Sequence, residues 1–288
     1  MVRWTSALRR RLRNRVRADR RATLGYLRLA RFLATRGINP PLSGNAEDQE
    51  RRWRDQGTAG SSDSPQTYVD HTDSMQILFE DIIHFLPKDA RILEIGCNAG
   101  RNLGYLYRQG FRNLCGIELG REALKTFEIE YPQTYASTHV ICGNAVEEIR
   151  SLADRSFDLV FTRGVLVNIH PRDESLFDEM CRVSRAFLLT SELEGSWTSW
   201  PRDFGRVFER RGYKMVALRF LVSSAGGSLE IPATVDAEGI LGNPTIRLFS
   251  RIETDTDRDE QGRPAETGLH QPPLQTEQER LACTSTTK

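Results

Sequence analysis

Arg91-Ile-Leu-Glu94-Ile-Gly96-Cys-Asn98-Ala-Gly100-Arg101-Asn-Leu103 is the stretch on which the fold turns. An apolar strand runs into small residues and then into a helix. Small residues let a ligand approach the backbone, and the helix start offers N–H groups with no intrahelical partner. Ligands of open α/β sheets bind at this carboxyl edge. A dinucleotide fingerprint needs glycine at 96, 98 and 101, where the chain has Gly96, Asn98 and Arg101. That fingerprint fails twice. An acid-x-Gly-x-Gly-x-Gly pattern fits better: Glu94, Gly96 and Gly100 match, and Asn98 stands where the middle glycine belongs. Asn tolerates a left-handed backbone better than most residues.

Outward from this loop, strand and helix patterns alternate. Helices are expected at 76–85, 101–109, 121–131, 145–152, 172–183 and 202–211. Strands are expected at 91–95, 113–118, 138–142, 157–162, 186–191, 213–220 and 245–251. Such alternation implies right-handed crossovers and a parallel sheet covered on both faces. No helical pattern separates the last two strands, so they are expected to be antiparallel. The fold class is therefore α/β: a Rossmann-like, seven-stranded, mostly parallel sheet with helices on both faces and an antiparallel C-terminal strand pair.

Glu118 ends the second strand, about 20 residues beyond the glycine loop, where a carboxylate can accept both hydroxyls of a ribose. Asn144 and Ala145 follow the third strand. The fourth strand and its exit read Phe157-Asp158-Leu-Val-Phe-Thr162-Arg163-Gly164-Val165-Leu166-Val-Asn168-Ile-His170-Pro171.

With Glu94, the glycine loop and Glu118 in place, the chain resembles the class I S-adenosylmethionine-dependent methyltransferases. The resemblance implies S-adenosyl-L-methionine as cofactor, held by Glu94, Gly96, Asn98, Gly100, Glu118, Asn144, Ala145 and Thr162. In that superfamily an acid often stands at 144 and contacts the adenine amino group; the Asn144 amide oxygen can still accept that bond. A helix N-cap explains Asn144 equally well. Gly-Cys-Asn-x-Gly-Arg-Asn-Leu with Thr-Arg-Gly-Val-Leu also resembles a narrower group over residues 90–192: bacterial methyltransferases associated with pseudaminic acid, a nonulosonic sugar. That group tends to carry His at 168 and Asn at 170, the reverse of Asn168 and His170 here.

Base-amino methyltransferases usually show Asp/Asn-Pro-Pro-aromatic after this strand, and Thr162-Arg163-Gly164-Val165 differs. Methyl transfer needs a base only if the acceptor holds its proton tightly. His170 is the candidate, by position and by its unperturbed pKa; its alternative is ordering the turn at Pro171. Tyr68 and His71 precede the first helix of the domain and are candidates to close over the cofactor. Trp197 and Trp200, near Glu192 and Glu194, suit a sugar-like or cationic acceptor, or ordinary packing. The expected acceptor is a small, sugar-like or lipid-linked molecule, methylated on a hydroxyl. The alternative is a nucleic-acid or protein methyltransferase that docks through a basic arm.

That arm is residues 1–37, with twelve Arg against Asp19, a charge of +11 that leaves the rest of the chain at −10. Tyr26, Leu29, Ala30 and Leu33 form an apolar stripe. A basic amphipathic helix of this kind lies on anionic membranes or packs on its own domain. Residues 38–67 read as a polar linker or lid, 68–252 as the methyltransferase domain and 253–288 as a disordered tail. Cys97, Cys115, Cys142, Cys181 and Cys283 show no metal-ligand spacing, so no metal site is expected, and their thiols suit a reduced compartment. With no apolar run long enough to span a bilayer, the expected location is cytoplasmic, peripheral to the inner membrane face if the arm binds lipid.

Overall fold

The computed structural model describes residues 46–55, 64–69, 73–193, 200, 202–220, 222–223, 229–230 and 244–252, with scattered positions between 11 and 33. Strands β1 (Arg91–Ile95), β2 (Asn113–Glu118), β3 (Thr138–Cys142), β4 (Phe157–Arg163), β5 (Ser184–Glu192) and β6 (Tyr213–Phe220) run in one direction, and β9 (Thr245–Arg251) runs antiparallel to its neighbours β5 and β6. The sheet order is β3-β2-β1-β4-β5-β9-β6. Two short strands, β7 (Val222–Ser223) and β8 (Leu229–Glu230), pair separately. The seven-stranded, mostly parallel reading holds, and β9 enters between β5 and β6.

Successive strand residues feed opposite faces. Ile92, Leu114, Leu159, Leu189 and Leu248 join one core with Phe79, Leu103, Phe111 and Phe127. Leu93, Cys115, Val160, Leu188 and Phe249 join the other with Phe177, Met180, Phe204 and Phe208. Both faces are buried, which is why these strands read as continuous apolar runs. Each such large side chain contributes about 1.5–3 kcal/mol by leaving water.

The helices are α1 (Ala46–Arg54), α2 (Asp73–Phe79), α3 (Arg101–Arg108), α4 (Arg121–Glu130), α5 (Pro132–Ser137), α6 (Ala145–Glu148), α7 (Ser175–Val183) and α8 (Phe204–Glu209). Pro132, expected to end a helix, also begins the next one at its first position, where a missing N–H costs nothing. The helix expected at 76–85 starts earlier and gives way to turns after Phe79. The expected linker contains α1 and a 3₁₀ turn, Pro65–Tyr68. In the arm, the described positions 11, 12, 15, 21, 22, 25, 26, 29, 32 and 33 are helical. The tail 253–288 and His71, Glu194 and Trp197 lie outside the described residues. Among those described, no helix is long and apolar enough to cross a membrane.

Candidate active site

The strand order reverses between β1 and β4, which parts the loops at the carboxyl edge. A cavity of about 570 Å³ opens there. It runs from Gly143–Val146 beyond β3, past Glu118 and the glycine loop, to Ser191 and Leu193 at the end of β5. Gln49 and Trp53 of α1, with Tyr68, cover it.

The glycine loop takes three left-handed residues: Gly96 (φ 73°), Asn98 (φ 47°) and Gly100 (φ 75°). Asn98 thus adopts the conformation of the glycine it replaces. A Cβ on Gly100 would stand 2.0 Å from the Phe127 ring. The turned backbone aims one donor at Glu118, Asn98 N–H on Oε2 (2.9 Å), and the turn after β2 supplies the other, Gly120 N–H on Oε1 (2.7 Å). The carboxylate is thereby fixed on the cavity wall with lone pairs left on both oxygens. Burial pushes its pKa above the usual carboxylate range, and these amides oppose the shift.

Glu94 lies beneath the loop and off the wall. Asn102 Nδ2 donates to its Oε1 (2.5 Å), while Oε2 is buried with no hydrogen-bond partner among the described residues. Burial pushes its carboxyl up to about 8. Arg101, the first residue of α3, lines the cavity, and its buried Nε has no hydrogen-bond partner among the described residues. Gly100 shapes the turn without lining the cavity. Asn144 and Ala145 line it, and Asn144 Oδ1 accepts from Val146 N–H (3.0 Å), so Asn144 is a helix cap facing the cavity.

The β4–β5 side is built differently. Thr162 is fully buried and off the wall; its hydroxyl donates to Glu192 Oε1 (2.9 Å), so the geometry gives it a supporting place and not a lining one. Asn168 and His170 line the cavity. His170 Nδ1 accepts from Arg172 N–H (3.1 Å) and caps the 3₁₀ turn Pro171–Asp173. Its ring meets Trp200 edge-on at 5.0 Å. Trp200 is fully buried and off the wall: it packs, and is no acceptor platform. Glu192 is likewise buried under the loop and not exposed to an acceptor. No cluster of metal-ligating side chains occurs among the described residues.

Sequence reasoning missed Arg101, Gln49 and Trp53. Arg101 was signalled by its place directly after the glycine loop. Nothing in the linker's composition marked Gln49 or Trp53, because their role arises from packing across 119 positions of sequence, as the Gln49–Asn168 bond shows.

A buried carboxylate at the end of β2, a buried acid under a glycine loop and an arginine on the cavity wall match the chemistry of a nucleoside joined to an amino acid. The comparisons agree. Residues 93–186 match the family model described as "Methyltransferase domain". No curated protein matches the chain in sequence. Among solved structures, it is similar to geranyl diphosphate C-methyltransferase from Streptomyces coelicolor A3(2), at 10% identity over 72% of this chain and 97% of that one, with a TM-score of 0.53. It is also similar to a TehB-like SAM-dependent methyltransferase from Corynebacterium glutamicum ATCC 13032, at 20% identity over 72% and 97%, with a TM-score of 0.46. At 10% identity the likeness to geranyl diphosphate C-methyltransferase speaks for the fold alone, while the matched domain and the carboxylate–glycine edge speak for the chemistry. Over residues 93–186 the chain thus carries a match to a methyltransferase domain, set on a Rossmann-like fold.

Proposed function

We propose that the enzyme methylates a hydroxyl of a small, sugar-like or lipid-linked acceptor. The observation that carries this reading is the mixed wall of the cavity's β4–β5 end: Asn168, His170, Asp173 and Ser191 stand among Val165, Ile169 and Leu193. Apolar groups with a few polar ones are what a small-molecule site needs to exclude water and fix orientation.

S-adenosylmethionine supplies a methyl group already activated on a sulfonium. The chain's own residues bind and align. Glu118 offers its free lone pairs to the ribose hydroxyls, and Asn144 and Ala145 border the adenine. The Gly96–Gly100 loop gives close backbone approach, and Arg101 takes the carboxylate of the amino-acid end. Glu94, from below the loop, supplies the negative field for the ammonium group. His170 stands on the acceptor side. With Nδ1 accepting from Arg172, a neutral ring carries its proton on Nε2. In this tautomer it orients the acceptor oxygen by donating, and it serves as the base only after releasing the Arg172 amide.

A radiolabelled methyl-transfer screen over sugar nucleotides, lipid-linked sugars, phenols and RNA tests the reading. The pseudaminic resemblance recommends nonulosonic sugars for that panel, with the Asn168/His170 exchange weighing against them. Labelling of RNA or protein alone would overturn the proposal in favour of the docking-arm alternative. With an acceptor in hand, His170→Ala should lower turnover about 100-fold and leave cofactor affinity unchanged.

The arm supports a place at an anionic membrane on the inner face. Leu29 and Phe32, three residues apart at described helical positions, are 50% and 52% exposed beside a charge of +11. Co-sedimentation with anionic liposomes should be lost on deleting residues 1–37; equal partitioning of both forms would end this idea.

A further inference from the structure

The loop that follows β4 carries Val165, Val167, Asn168 and His170 on the cavity wall, and between Gly164 and Ile169 its regular structure is one 3₁₀ turn, Leu166–Asn168. Gly164 N–H donates to Ser191 O (2.8 Å) and Trp200 N–H to Val167 O (2.8 Å), and one side chain gathers the amides between them. Glu192, at the end of β5, accepts from Thr162 Oγ1 (2.9 Å) and Val165 N–H (3.2 Å) at Oε1, and from Val167 N–H (3.3 Å) at Oε2. The Leu166 amide adds to this set. The next residue is Asn168, whose Oδ1 accepts from Gln49 Nε2 of α1 (2.7 Å) and whose Nδ2 donates to Gly164 O (2.8 Å). Gln49 is itself buried. Val165, held by Glu192, packs so closely on the glycine loop that a Cβ at Gly96 would meet its Cγ2 at 2.5 Å.

We propose that Glu192 is a positioning residue: its carboxylate sets the loop 164–168 so that Asn168 latches helix α1 over the cavity and Val165 abuts the glycine loop. A single carboxylate therefore joins the cofactor half, the acceptor half and the cover. Its burial is costly, since its carboxyl is pushed up to about 7 despite its donors. A buried charge is a poor device for stability, which fits a residue retained for the loop it shapes. Among the described residues, the charged group whose field reaches it is Arg202, held by Glu174 (2.7 Å); β4 presents the neutral Thr162 and β9 the neutral Thr245.

The test is hydrogen–deuterium exchange of the full chain at about pH 8, with melting temperature measured alongside. Glu192→Gln should speed exchange about 10-fold or more in 163–170 and in 46–55, as loss of hydrogen bonds to a charged group implies. Its melting temperature should stay near that of the wild type. Gln49→Ala should loosen 46–55 and leave 163–170 protected. Thr162→Val removes one donor to the same carboxylate and should loosen both segments by less, with Thr162→Ser restoring them. Unchanged protection in Glu192→Gln, or loosening spread over the whole sheet, would overturn the proposal. Should Glu192→Gln not fold, the Thr162 pair decides: equal exchange in Thr162→Val and Thr162→Ser overturns it. The latch concerns the proposed cofactor and acceptor cavity, but exchange of the ligand-free chain reads it. A parallel titration with S-adenosylhomocysteine tests the cofactor reading separately.

Discussion

The two halves of the cavity solve one problem in opposite ways. On the β1–β2 side, the backbone is the device: three left-handed residues within five positions turn the chain so that the amide of the middle one, Asn98, donates to Glu118. On the β4–β5 side, a side chain from β5, Glu192, gathers the amides of a loop whose regular backbone is a single 3₁₀ turn. A backbone device cannot tolerate a Cβ in the wrong place, so its residue types are dictated locally. A side-chain device leaves its loop free to vary, provided that a distant carboxylate survives. This difference teaches why the cofactor end can be read from a motif and the acceptor end cannot.

The sharpest way to break the comparison is Gly100→Ala. The new Cβ would have to displace the Phe127 ring from 2.0 Å at a φ of 75°. Overpacking and left-handed strain together should cost about 3–5 kcal/mol. Denaturant unfolding measures it, and a loss under about 1 kcal/mol would mean that the loop is not the rigid element described.

The next effect separates ligand groups. Glu118→Ala should weaken S-adenosylhomocysteine by about 1.5–3 kcal/mol, the scale of lost hydrogen bonds to a charged group. Arg101→Ala should weaken it by a similar amount but spare 5′-methylthioadenosine, which lacks the amino-acid end. Calorimetry with both ligands checks the pair. Equal losses for both ligands in Arg101→Ala would remove Arg101 from the carboxylate role.

These expectations show what was legible. β1, β2, β3, β6 and β9 match the sequence reading residue for residue, because each strand pattern ends at polar or turn-forming residues. Helix ends were less legible. Pro132 both stops and starts a helix, and the stretch after Phe79 turns although its apolar spacing is helical. In the site, Glu94, Gly96, Asn98, Gly100 and Glu118 lie within 25 positions and reveal one another. Thr162 was expected at the cofactor, yet its hydroxyl turns to Glu192, 30 positions on. Trp200 was expected near an acceptor, yet it packs under His170. Both placements depend on partners that only tertiary structure assembles: Glu192 for Thr162, and Val167 O and the His170 ring for Trp200.

A smaller effect links both halves through pH. Glu94 and Glu192 titrate at about 8 and about 7 in the fold, against an ordinary value of 4.5. Folding therefore favours their protonated forms. The stability they contribute is complete below about pH 4.5 and is lost as pH rises through 7 and 8. The melting temperature of the ligand-free chain should fall by several degrees between about pH 6 and about pH 9, less so in Glu94→Gln or Glu192→Gln. A cofactor ammonium near Glu94 favours its ionised form, so binding at pH 7 should release protons. Calorimetry in buffers of different ionisation enthalpy reads that release, and none in the wild type would place Glu94 outside the cofactor's field.

The smallest expected effect tests the middle of the glycine loop. Asn98 holds φ at 47°, a conformation that costs an ordinary side chain roughly 1–2 kcal/mol and Asn less. Its Oδ1 recovers some of that cost by accepting from Ala99 N–H (2.7 Å). Asn98→Gly removes the strain and this bond together, and it adds chain entropy to the unfolded state. The terms oppose one another, so stability should change by less than about 1 kcal/mol, and the amide that reaches Glu118 is kept. S-adenosylhomocysteine affinity should accordingly stay within about threefold, or roughly 0.7 kcal/mol. Asn98→Val keeps the backbone N–H but places a β-branched side chain at positive φ, which is a far harsher demand. If Asn98→Val binds as well as Asn98→Gly, the Asn98 amide and its left-handed turn do not set Glu118, and the backbone half of the comparison fails at its centre.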